Sequence, residues 1–204
     1  MSEIRHIVLD LGRVVIRWEP EIPYRALILD AAERRHFLTE VCNGRWLAET
    51  DRGASWAEAE RGLIERFPGH AAMIRAFREN WHAMVPGYVE GTPLILSELL
   101  AGGYDVTALT NFAQDTFLEA EIRLPLLKSF RGVTVSARIG VVKPNAAIFE
   151  RHARDFALAP EATLFFDDLP ANVEAARRAG WHGEVFTDAE AMRGDLKRYG
   201  IDIG

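Results

Sequence analysis

Cysteine is almost missing from this 204-residue chain: Cys42 is the only one. One thiol makes neither an internal disulfide nor a cysteine-based zinc site. Lysine is scarce too, with Lys128, Lys143 and Lys197 against a total of 24 basic residues. No apolar run approaches the roughly 20 residues that a membrane-crossing helix needs. Nothing after Met1-Ser2-Glu3 reads as a secretory leader. Basic residues cluster no further than pairs such as Arg34-Arg35 and Arg177-Arg178, and the net charge is −6. Non-specific nucleic-acid and membrane-surface binding run on clustered Lys and Arg, so neither partner is expected. His70, His82, His152 and His182 show no metal-ligand spacing. The expectation is a cytoplasmic protein with a small-molecule partner, its oligomeric state open.

What is present is ordinary for a globular protein. Hydrophobic residues make up 49% and charged residues 26%, which excludes disordered and low-complexity classes and allows a sizeable core. Residues 4–10 are a short β-branched, apolar run ending on Asp10 and read as a buried strand. From about 21 to 85, Ala, Leu, Glu and Arg dominate and apolar residues recur at three and four, a helical rhythm. Ser55 and Glu58 have capping-box spacing. After Pro86-Gly87 the pattern alternates: helix 93–101, strand 104–109, helix 114–121, strand 133–135, helix 145–157, strand 162–166, helix 170–179, strand 184–186 and helix 188–198. Alternation of this kind predicts right-handed crossovers and a mostly parallel sheet, an α/β fold with one strand followed by a helical insertion. Trp56 and Trp81 fall on apolar helix faces and are expected in the core, as is Cys42. Trp18, Arg45 and Trp46 could face either the substrate or the interior.

Ligands of such sheets bind outside the carboxyl ends of the strands. The sequence places Asp10, Thr110-Asn111 and Asp167-Asp168 at three of those ends, with Lys143-Pro144 in a loop before a helix. Each alone reads as a helix cap or a turn residue; together they converge on one edge. The set suits phosphoryl transfer through a carboxylate. Asp10 can attack phosphorus and form an aspartyl-phosphate. Asp10, Asp167 and Asp168 supply hard oxygens suited to Mg2+. Thr110 and Asn111 can donate to phosphoryl oxygens, and Lys143 can offset the charge of Asp10 and of the transferring group.

The stretches Ile-Val-Leu-Asp10-Leu-Gly12, Ala-Leu-Thr110-Asn111-Phe, Gly-Val-Val-Lys143-Pro-Asn and Leu-Phe-Phe-Asp167-Asp168-Leu-Pro-Ala-Asn172 resemble the four motifs of the haloacid dehalogenase superfamily. They are most similar to the branch with the alpha-D-glucose-1-phosphate phosphatases and the phosphatase domain of soluble epoxide hydrolases. The resemblance implies a Rossmann-like parallel sheet with an inserted all-helical cap domain: a core of residues 1–14 and 86–204 and a cap of 15–85. It implies a hydrolase, a Mg2+-dependent phosphatase of a small phosphorylated metabolite such as a sugar phosphate. Asp10 would be the nucleophile. Asp10, the Gly12 carbonyl and Asp168 would hold Mg2+, with Asp167 assisting directly or through water. Thr110, Asn111 and Lys143 would hold the phosphoryl group, and Asn172 would orient the acidic pair.

The chain departs from the pattern at Gly12, where the superfamily's phosphatases usually carry a general acid and base. That loss predicts a preference for good leaving groups and a lingering phosphoenzyme, since acid-base help is worth roughly 10²–10⁴-fold. Two alternatives are a 2-haloacid dehalogenase using the same Asp10, which has no need of the acidic pair, and a low-turnover phosphate-binding or regulatory module, which has no need of a nucleophile.

Overall fold

The computed structural model describes residues 3–203. Five strands form one parallel sheet in the order β3-β2-β1-β4-β5, with β1 at His6–Leu9, β2 at Asp105–Thr110, β3 at Val133–Val135, β4 at Thr163–Asp167 and β5 at His182–Val185. Among the described residues, twelve α-helices accompany it. Between β1 and β2 lie α1 (Glu21–Leu27), α2 (Ala31–His36), α3 (Gly44–Asp51), α4 (Trp56–Arg66), α5 (Ala71–Glu79), α6 (Trp81–Met84) and α7 (Thr92–Ala101). Then come α8 (Gln114–Arg123), α9 (Ser136–Ile139), α10 (Ala146–Asp155), α11 (Pro170–Arg178) and α12 (Ala189–Arg198).

The pleat sorts the strand residues between two cores. Ile7 and Leu9 of β1, and Leu164 and Phe166 of β4, pack with apolar residues of α7, α8 and α12. Val8 and Phe165 point the other way, toward Ile148 and Phe149 of α10 and Ala175 and Ala176 of α11. This period of two has a consequence for the site. Asp10 follows Val8 and Asp167 follows Phe165 in parity, so both carboxylates fall toward the α10 face, where the Lys143 loop arrives. The register pairs Leu9 with both Ala108 and Phe166, and the Asp10 N–H continues the ladder by donating to Phe166 O at 2.9 Å.

Residues 21–84 are helical, with a hydrophobic cluster of their own that includes Tyr24, Phe37, Trp46, Leu63, Phe77 and Met84. Chain entry and exit run side by side: Arg17 N–H donates to Gly87 O at 2.8 Å and Glu19 N–H to Met84 O at 2.8 Å. The first helical stretch is broken where the periodicity runs on. Asp30 accepts from the N–H groups of Ala32 and Glu33 and starts a new helix, a local competition that apolar spacing does not report. Beyond it the chain makes a π-helical turn over Phe37–Val41. Ser55 and Glu58 form the expected reciprocal cap at the start of α4. Cys42 is buried, and burial pushes its thiol up.

The α10 face carries one buried histidine. His152 bridges two strands, with Nε2 2.9 Å from Thr107 Oγ1 and Nδ1 2.7 Å from Thr134 Oγ1. Burial, reinforced by Arg131, pushes its imidazole from 6.5 down to about 3. The unfolded chain therefore binds a proton below pH 6.5 that the folded chain refuses until about pH 3. Stability is expected to fall as pH drops through that window, by up to about 1.4 kcal/mol per unit from this group. His152→Gln, which cannot ionise, should flatten the pH dependence of urea unfolding; an unchanged slope would show that His152 is not its source.

Candidate active site

At the carboxyl edge of the sheet, Lys143 sits between two carboxylates. Its Nζ lies 2.8 Å from Asp10 Oδ1 and 2.6 Å from Asp167 Oδ2. It also donates to Leu109 O at 2.8 Å and stands 5.3 Å from the centre of the Phe165 ring. Burial alone would drive this ammonium down, but Asp10 and Asp167 more than offset it, leaving its pKa above the ordinary lysine value. Burial pushes the Asp10 carboxyl up; Lys143 opposes that shift and the charge of Asp167 adds to it, for a value of about 7.

Asn111 positions the lysine. Its Oδ1 accepts from Lys143 N–H at 2.8 Å and its Nδ2 donates to Lys143 O at 3.1 Å. The side chain is engaged with the main chain of the lysine loop, a clamping role the sequence did not disclose. Thr110, buried at the end of β2, keeps its hydroxyl out of the hydrogen bonds among the described residues.

The two members of the acidic pair differ sharply. Asp167 is fully buried, and its oxygens accept from Asn172 Nδ2 at 2.8 and 3.0 Å, from Leu169 N–H at 2.9 Å and from Lys143. Asn172 is thus its orienting partner. Asp168 is half-buried, with Arg13 Nη1 at 3.7 Å. Burial raises its carboxyl, and so does Asp167, against Arg13 and Lys143.

One oxygen from each of Asp10, Asp167 and Asp168 lies within 4.8 Å of the others. Asp10 Oδ1 is buried, with the Lys143 ammonium at 2.8 Å. Three clustered carboxylates with one ammonium among them leave an excess of negative charge, and hard oxygen donors of this kind fit a divalent cation. Asp10 and Asp168 have free oxygens to offer, whereas those of Asp167 already accept from the protein. Gly12 lines the same cavity as Asp10, Lys143 and Asp168, and a Cβ built on it meets nothing within 4 Å.

Beside this polar cavity is an apolar cleft of about 580 Å³, including its open part, between the sheet edge and the helical block. Trp18, Trp56 and Trp81 line it together with Ile16, Leu47 and Phe112. Trp56 packs against the core of the helical block, as expected, its ring 5.7 Å from Trp46 and 6.2 Å from Phe77, but it is only partly buried, and its indole N–H reaches across to Asp115 Oδ1 at 3.0 Å. Trp81 is buried, as expected, yet still contributes to the wall. Trp46 is interior, its Nε1 donating to Ala59 O at 3.0 Å. Arg45 lines a separate groove with Arg66 and Phe67. Two further residues of the site, Arg13 and Asp51, were not singled out from the sequence. Arg13 directly follows Asp10-Leu-Gly12 and Asp51 opens the turn Asp51-Arg52-Gly53, but neither was given a role there; the turn after β1 and the end of α3 bring them to the cavity.

No helix among the described residues is long and apolar enough to cross a membrane. A flavin mononucleotide hydrolase of Arabidopsis thaliana is 25% identical over 166 residues, which cover 77% of this chain and 66%, just under two thirds, of that protein. A sesquiterpene phosphatase of Aspergillus oryzae is 24% identical, and the match covers 94% of each chain. Among solved structures, a haloacid dehalogenase-family enzyme of Bacteroides thetaiotaomicron, in complex with magnesium and inorganic phosphate, superposes with a TM-score of 0.69 at 20% identity, covering 91% of this chain and 95% of that one. The family model described as haloacid dehalogenase-like hydrolase matches residues 56–183. With that match spanning most of its length, the chain belongs to the haloacid dehalogenase-like hydrolases.

Proposed function

We propose that the protein is a Mg2+-dependent phosphatase acting on a small phosphomonoester through an aspartyl-phosphate. The observation that carries this is the Lys143 ammonium held between buried Asp10 and Asp167, with Asp168 alongside. That arrangement provides a carboxylate nucleophile and a place to neutralise the phosphate it must approach. The flavin mononucleotide hydrolase and the sesquiterpene phosphatase support the same chemistry by name. A dehalogenase would use Asp10 alike but has no use for Asp167 and Asp168.

In this reading Asp10 Oδ attacks phosphorus and the ester oxygen leaves; water then attacks the aspartyl-phosphate and frees inorganic phosphate. Asp10, Asp168 and the Gly12 carbonyl would hold Mg2+, with Asp167 acting from behind through Lys143 and Asn172. The cation supplies positive charge to a site crowded with carboxylate and phosphate oxygens. Lys143 stabilises the charge that develops on the transferring group. Asn111 keeps the lysine loop in place, and the Thr110 hydroxyl is available to a phosphoryl oxygen.

Residues 15–85 act as the cap, over a core of 1–14 and 86–204. The cleft between them supplies the substrate preference. Its hydroxyls are already engaged: Thr50 Oγ1 donates to Leu47 O at 2.9 Å and Thr116 Oγ1 to Ala113 O at 3.2 Å. A site with three indoles and few free hydrogen-bond partners fits a flat or apolar leaving group better than the many hydroxyls of a sugar.

The purified protein should release phosphate from p-nitrophenyl phosphate with Mg2+, and both a chelator and Asp10→Asn should reduce release to background. Metal-independent release would sink the reading. Trp56→Ala should raise KM for aryl phosphates several-fold while leaving inhibition by inorganic phosphate unchanged; an equal effect on both would place Trp56 outside the leaving-group site. Lys143→Met leaves two carboxylates buried without their cation, and should destabilise the metal-free protein by about 3–5 kcal/mol in urea unfolding at pH 8.

A further inference from the structure

Gly12 leaves the reaction without the carboxyl group expected two residues after the nucleophile. Protonating the leaving oxygen and deprotonating the water then falls to some other group at the site. Gly12, Trp18, Leu47, Asp51 and Asn111 line both the polar cavity that holds Asp10 and the apolar cleft beside it. Of these five, only Asp51 titrates. In the phosphatase reading, a substrate with its phosphate on the polar side and its leaving group on the apolar side would have its scissile bond at this junction.

Asp51 has no evident structural duty. It is the last residue of α3, where a carboxylate opposes the helix dipole. Its side chain takes part in none of the hydrogen bonds or ion pairs among the described residues. Its backbone, by contrast, is pinned to the core. Ser136 Oγ, at the start of α9, donates to Asp51 O at 2.7 Å and accepts from Phe112 N–H at 3.0 Å. That hydroxyl ties the end of α3 to the loop that follows Thr110 and Asn111. Gly53, at φ +101, lets the turn come close; a Cβ there would lie 3.0 Å from Ala137 O.

We propose that Asp51 is the general acid and base of this phosphatase, delivered from the helical block in place of the carboxyl missing at Gly12, with Ser136 as its positioning residue. This rests on the phosphatase reading above. As Asp10 Oδ bonds to phosphorus and the P–O ester bond breaks, the leaving oxygen takes the Asp51 proton and departs as the alcohol. The Asp51 carboxylate then takes a proton from water as that water bonds to phosphorus. The P–Oδ bond breaks, inorganic phosphate leaves, and Asp10 and Asp51 return to their starting states.

Burial, and next the charge of Asp10, push the Asp51 carboxyl up to about 7, with Lys143 and Arg52 opposing. Arg13 and Asp168 are the other charged groups on the same cavity. A carboxyl in that range suits both directions of proton transfer near neutral pH.

The test compares wild type, Asp51→Asn, and Asp51→Asn combined with Gly12→Asp, all with Mg2+, on p-nitrophenyl phosphate and 2-phenylethyl phosphate. Thermal melts check folding, and Asp51→Ser replaces Asp51→Asn if the amide disturbs α3. Wild type should turn over both esters. Asp51→Asn should lose about 10²–10⁴-fold on the alkyl ester, whose oxygen leaves poorly without a proton. On the aryl ester it should give a burst of nitrophenol, then slow turnover, with acid-stable phosphoenzyme trapped on quenching. Gly12→Asp should restore part of the alkyl-ester rate. Equal losses on the two esters without a burst, or no loss at all, overturn the assignment of Asp51 while leaving the phosphatase reading intact. A folded wild type inactive on both esters overturns both.

Discussion

The site depends on one lysine held between two carboxylates away from water. An isolated buried ammonium would shed its proton, and two buried carboxylates would repel until one of them took one up. Asp10, Lys143 and Asp167 resolve both problems together, with contacts of 2.8 and 2.6 Å. Asn172 and Leu169 N–H satisfy the rest of Asp167, and Asn111 clamps the main chain of Lys143. The result is an anchored positive charge between two buried carboxylates. The parallel sheet makes this possible, because it ends β1, β2 and β4 at one edge and its pleat turns Asp10 and Asp167 to the same side.

Above this edge the helical block provides what the sheet cannot. Its indoles wall an apolar cleft beside the polar cavity, and Trp18, Leu47 and Asp51 stand on the boundary between the two. The block also has its own hydrophobic cluster, distinct from the two that flank the sheet. Paired backbone segments at its entry and exit, and the Ser136 hydroxyl at the end of α3, join it to the core.

The order of strands and helices was legible because alternating apolar runs and Gly-punctuated helices follow from backbone geometry alone. β3 lies at 133–135 as read; β1 is shorter than read, at His6–Leu9, and α8 runs on to Arg123. The helical insertion was legible as helical, and so were most of its divisions: the turn-type pairs Asn43-Gly44 and Pro68-Gly69 mark the start of α3 and the turn before α5. The break at Asp30 was not, because it caps α2 within a stretch where apolar residues still recur at helical spacing. Trp56 on its apolar helix face does pack against the core of the block, and only the gap between block and sheet edge leaves it partly open.

The sequence by itself determined the chemistry-bearing set at the sheet edge. Each of Asp10, Thr110, Asn111, Lys143, Asp167 and Asp168 adjoins a strand or helix end whose position follows from local pattern. Tertiary structure decided how the labour is divided among them. It committed Asp167 to Lys143 and Asn172, turned Asn111 into a clamp, and brought Asp51 to the cavity from the helical block. Periodicity fixes where a residue lies along its own element; which distant side chain it meets depends on how separate elements pack, and that is written nowhere in their spacing.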